Sequence, residues 1–129
     1  MTQRVASLRD KLEGILGDLS TATRGVDGAT LVRLDGLIVS CSPGLSDDSM
    51  AAAMSAALLN ISRNVVRQLK LGALTRVVVS GTKGDVVLTR TQNDMILSIF
   101  LRKEASLGMT FLQLGRTSEK ISQILTEKR

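Results

Sequence analysis

Two short β-type runs, Ala29 to Leu34 and Leu37 to Cys41, flank the dipeptide Asp35-Gly36. Asp-Gly readily supplies the positive φ angles of a tight type I′ turn, so this stretch predicts an antiparallel hairpin. It is the strongest local signal in the chain. Ser42-Pro43-Gly44 then breaks the second strand, because proline cannot donate to a ladder.

The remaining elements follow from periodicity and turn chemistry. Residues 3–19 carry Val5, Leu8, Leu12, Ile15, Leu16 and Leu19 at three- and four-residue intervals, which predicts a helix with one apolar stripe. Ser46 is an N-cap candidate, and Asp47 and Asp48 suit the positive end of a helix dipole. The helix they open runs to about Lys70, with Gly72 closing it. Leu74 to Ser80, Val86 to Arg90 and Met95 to Leu101 read as strands. Gly81-Thr82-Lys83-Gly84 and Gln92-Asn93-Asp94 read as the turns between them. A last helix covers Ala105 to Glu127, with Leu107, Phe111, Leu114, Ile121 and Leu125 on one face. The order is αββαβββα, with short connections that predict an antiparallel meander interrupted by one helix. With 129 residues and no linker or repeat, residues 1–129 read as one α+β domain.

The second helix is too apolar for a simple surface helix. At 100° per residue, Met54, Leu58, Ile61, Val65 and Leu69 share one arc, which is expected to lie on the sheet. Ala52, Ala56, Leu59 and Val66 fall on the opposite side, where nothing else in the chain is left to cover them. That second face predicts contact with another copy of the chain. Arg63, Arg67 and Lys70 cluster further along. They read either as a solvated basic face or as a docking patch for an acidic partner.

Composition closes off several chemistries. Histidine is absent, which removes the commonest general base and zinc ligand. One cysteine, Cys41, can form neither an intramolecular disulfide nor a structural zinc site, and it fits a reducing compartment. No phosphate-binding loop precedes a helix; the glycines at 81 and 84 lie between strands. The net charge is +5, but the basic residues are dispersed. With two Phe and no Tyr or Trp there are almost no stacking platforms, which argues against nucleic acid. No stretch reaches the apolar length of a membrane span. No catalytic, cofactor or metal site is read from the chain, and its expected location is cytoplasmic.

Particular phrases resemble the Roadblock/LC7 family. They are Gly25-Val26-Asp27-Gly28-Ala29-Thr30-Leu31-Val32, Leu34-Asp35-Gly36-Leu37-Ile38-Val39-Ser40, the alanine-rich Ala51-Ala52-Ala53-Met54, and Leu71-Gly72-Ala73-Leu74. The resemblance implies a profilin-like, five-stranded antiparallel sheet with one helix on one face and two on the other. It also implies a homodimer in which second helices pack together and third strands pair edge to edge. That arrangement would cover Ala52, Ala56, Leu59 and Val66, and would protect the Val77-Val78-Val79 edge. Proteins of this kind act with small Ras-like GTPases. The resemblance thus implies a non-catalytic adaptor or regulator, with a GTPase-activating component or a structural light-chain-like dimer as alternatives. It supplies no catalytic residue.

Overall fold

The computed structural model describes residues 2–42, 49–103 and 105–127. Its elements are α1 (Thr2–Ala22), β1 (Val26–Arg33), β2 (Ile38–Cys41), α2 (Ser49–Gln68), β3 (Val77–Ser80), β4 (Gly84–Arg90), β5 (Met95–Arg102) and α3 (Leu107–Glu127). The expected αββαβββα order is observed. The capping residues expected at Ser46, Asp47 and Asp48, and the Pro43-Gly44 breaker, lie outside the described residues.

The strands form one antiparallel sheet in the order β2-β1-β5-β4-β3. The β1–β2 hairpin and the β3–β4–β5 meander are joined through β1 and β5, with Ala29 opposite Ile99 and Leu31 opposite Leu97. The central strand, β5, must be apolar on both faces, and its sequence meets this demand. Leu97, Ile99 and Leu101 enter one core, while Ile96 enters the other. Such a strand reads as a nearly continuous apolar run rather than an alternation.

The larger core lies between the sheet and α1 with α3. Leu12, Leu16 and Leu19 of α1 and Leu114 and Ile121 of α3 meet Leu31, Val87, Leu97 and Ile99 there. The smaller core lies under α2, where Ala52, Ala56 and Leu59 pack on Val32, Leu88 and Ile96. One helix therefore covers one face and two cover the other.

Asp35-Gly36 does turn the chain, but not as a type I′ turn. The Arg33 N–H donates to the Leu37 carbonyl at 2.8 Å, and the Gly36 N–H to the Arg33 carbonyl at 2.9 Å. They enclose a three-residue loop, Leu34-Asp35-Gly36, in which only Gly36 has positive φ (96°). A type I′ turn needs positive φ at both central residues, whereas this loop needs it only at its last. Asp35 instead spends its carboxylate on the Leu37 N–H, at 3.3 Å. A Cβ at Gly36 would also stand 3.3 Å from the Cα of Ala53, so the glycine seats the loop against α2. The β4–β5 turn repeats the pattern with Asp94 at the left-handed position (φ 59°). There the Thr91 N–H donates to the Met95 carbonyl at 2.7 Å.

The end of α2 is set by Lys70 rather than by Gly72. Lys70 adopts φ 57°, the Leu71 N–H donates to the Val66 carbonyl at 2.8 Å, and the Lys70 N–H to the Arg67 carbonyl at 3.2 Å. This is a Schellman closure with lysine in the place usually given to glycine.

Candidate functional site: the outer side of α2 and the β3 edge

The structure reverses the expected orientation of α2. Ala52, Ser55, Ala56 and Leu59 are the buried residues of the helix, and they face the sheet. Met50, Met54, Ile61, Val65 and Leu69 point away, with 45–71% of their surfaces open, while Leu58 is half-buried. The physical reason is space. Val32, Leu88 and Ile96 already fill the sheet's surface, so the helix approaches on small residues and inserts one leucine. Ala52, Ala56 and Leu59 are thus core residues of this chain and cannot be an exposed contact face. The unsatisfied apolar stripe exists, on the other side of the helix.

Burial on α2 is confined to its first half, residues 52–59. Beyond Asn60 the side chains are exposed except Ser62 and Val66, which are half-buried. Ile61, Val65 and Leu69 therefore continue the open stripe along a part of the helix that the sheet barely covers.

Among the described residues β3 pairs only with β4, with Val77 opposite Leu88, Val78 opposite Val87 and Val79 opposite Val86. Its other edge carries backbone groups with no partner among the described residues. Val77 is half-buried against the α2 core, while Val78 and Val79 are exposed. The edge has neither charge nor proline to discourage pairing, the usual devices on an open strand.

The basic residues assemble differently from the sequence expectation. Arg63 and Arg67 line a cleft of about 280 Å³ with Val66, Gly72, Ala73 and Leu74, and the third arginine there is Arg90 from the end of β4. Lys70 is exposed but does not line the cleft, because its left-handed backbone takes it out of the helical repeat. Arg63 and Arg67 share the helical arc of Leu59, and they are open because the sheet does not extend under that end. The sequence held no signal for Arg90, whose position depends on strand register. The Arg67 guanidinium donates to the Asn64 side-chain oxygen, and Arg90 is paired with Asp94.

A second hollow, of about 390 Å³, opens between α3 and the start of β3, with Arg76 lying 4.2 Å over the Phe111 ring. Glycines 81 and 84 form a hairpin turn, the Gly81 N–H donating to the Gly84 carbonyl at 2.8 Å. Among the described residues no three Asp, Glu, Cys or His side chains are grouped to hold a metal ion, and no helix is long and apolar enough to cross a membrane.

The sequence profile of the Roadblock/LC7 domain matches residues 13–100, more than half of the chain. The chain belongs to the Roadblock/LC7 family. Solved structures agree on the fold of this Roadblock/LC7 domain. A Roadblock/LC7 domain from Streptomyces avermitilis superposes with a TM-score of 0.83 at 19% identity, covering 88% of this chain and 97% of that one. MglB from Myxococcus xanthus gives 0.82 at 16% identity, covering 92% and 90%. An MglB structure described as having a tetrameric arrangement gives 0.81 at 15% identity, covering 93% and 91%. Profilins also share the fold. A search of curated protein sequences finds no match.

Proposed function

We propose that this Roadblock/LC7 domain is a non-catalytic, cytoplasmic, dimeric adaptor that binds a small Ras-like GTPase or organises a complex around one. The observation that carries the reading is the open apolar stripe of Met50, Met54, Ile61, Val65 and Leu69, beside an unprotected β3 edge. Burying an aliphatic side chain of this size contributes about 1.5–3 kcal/mol, so a stripe of five is a strong drive toward association. A second copy related by a two-fold axis would offer the same stripe and the same edge in return. Antiparallel pairing of two β3 edges would extend the sheet across both copies and satisfy the open backbone groups. The similarity to MglB, one structure of which is described as tetrameric, supports self-association. Family membership supports the GTPase as partner class.

Light scattering at high micromolar concentration tests the dimer, and a monomer would remove it. For the partner, a small Ras-like GTPase is loaded with a GTP analogue or with GDP and tested for binding. The adaptor reading expects binding to depend on the nucleotide. Faster GTP turnover on adding this protein would favour a GTPase-activating component instead. Binding indifferent to nucleotide, or none, would favour a structural dimer.

A further inference from the structure

Arg63 and Arg67 of α2 and Arg90 of β4 stand around one small cleft whose remaining walls are Val66, Gly72, Ala73 and Leu74. No carboxylate is among the described residues that line it. Asp94 neutralises Arg90 from the adjacent turn, and Asn64, which is uncharged, engages Arg67. Arg63 has no side-chain hydrogen bond or ion pair among the described residues. Among the described residues, two guanidinium charges are thus left without a carboxylate partner beside each other, in a chain of net charge +5. Guanidinium groups present planar forks of donors that match a carboxylate in two-point contact. Val66, Ala73 and Leu74 give the cleft apolar walls, which a free inorganic anion would not use and the methylenes of a glutamate would.

We propose that this cleft receives acidic side chains of the protein partner, with carboxylates against Arg63 and Arg67 and the aliphatic stems over Val66 and Leu74. Arg90, held by Asp94, closes the far side. The proposal rests on the adaptor reading, in that it supplies the chemistry by which such a partner would be recognised. Charge complementarity of this kind sets orientation and encounter rate as much as affinity.

The test uses a fluorescein-labelled hexaglutamate peptide, followed by anisotropy at low salt, with hexaglutamine as its neutral counterpart. Three forms of the full chain are compared: wild type, Arg63→Gln/Arg67→Gln, and Arg24→Gln/Lys83→Gln. The last removes the same charge at the other end of the sheet, about 20 Å away along β4. The expected result is binding of hexaglutamate alone, weakened about tenfold or more by the cleft pair and less than about twofold by the distant pair. Equal weakening by both pairs would overturn the proposal, since net charge would then suffice. So would an absence of binding, or displacement by inorganic phosphate as effective as displacement by unlabelled peptide. Because the probe contains no GTPase, peptide binding survives a failure of the GTPase assay, and the two readings fail separately.

Discussion

The hydroxyl of Ser98, on the central strand β5, donates to the hydroxyl of Ser55 on α2 across 3.3 Å, with both side chains buried. This polar contact sits in the thinner of the two cores. Removing one partner strands the other in an apolar setting, which costs about 1–3 kcal/mol, whereas removing both is far cheaper. Ser55→Ala leaves Ser98 in a strand, with no local carbonyl of the kind a helical serine can reach. Ser98→Ala leaves Ser55 on a helix, where back-bonding to the preceding turn is open to it. Urea denaturation should therefore find Ser55→Ala the costlier single change, and the double alanine variant less destabilised than the sum of the two. Strict additivity would mean that the hydroxyls are not coupled.

The orientation of α2 yields a sharper contrast. Leu59 is fully buried on the sheet side, and Ile61 is 62% exposed on the other. Leu59→Glu places a carboxylate in the core beside Val32 and Ile96 and should cost several kcal/mol, on the order of 4, with loss of the folded state. Ile61→Glu should leave the fold's circular dichroism and urea midpoint close to wild type while dissociating the proposed dimer in sedimentation. If Ile61→Glu remained dimeric and Leu59→Glu folded normally as a monomer, the helix would be facing the other way.

Lys70 closes α2 from a left-handed conformation that costs a non-glycine residue free energy. It does not line the arginine cleft. Lys70→Gly should consequently raise stability by about 0.5–1 kcal/mol, seen as a rise of several degrees in Tm. An unchanged or lowered Tm would indicate that the lysine compensates through its charge at the helix C-terminus.

Element order, the hairpin at Asp35-Gly36 and the α1 and α3 stripes were legible in the sequence because each depends on local chemistry. The orientation of α2 was not. Its two apolar arcs are opposite and of similar weight, and hydropathy assigns the larger residues to the interior. The sheet had already filled that interior with Val32, Leu88 and Ile96, so small residues went in and methionines stayed out. β3 begins at Val77 rather than at Leu74. The Thr75 carbonyl accepts the Thr89 hydroxyl at 3.0 Å, outside the backbone ladder. Arg90 joins Arg63 and Arg67 only through strand register, which no single-residue signal carries.

Asp85 provides a pH-dependent test of the other end of the sheet. Its carboxylate accepts a hydrogen bond from the Lys103 ammonium at 3.0 Å, and its side chain is only 7% exposed. The Lys103 hydrogen bond, helped by one from Ser80 and by the lysine's charge, lowers its pKa below the ordinary 3.8 and outweighs the opposing effect of burial. A carboxyl whose pKa is lower folded than unfolded stabilises the fold fully above its unfolded pKa, and that stabilisation is lost as pH falls through the folded value. Asp85→Asn should thus be less stable than wild type at neutral pH, and the gap should close progressively as the pH falls below the ordinary carboxylate value of 3.8. Urea midpoints measured for both proteins from neutral to acid pH report it directly. A gap that stayed constant to the acid end would mean that Asp85 contributes through packing and hydrogen-bond shape alone, with no part for its charge.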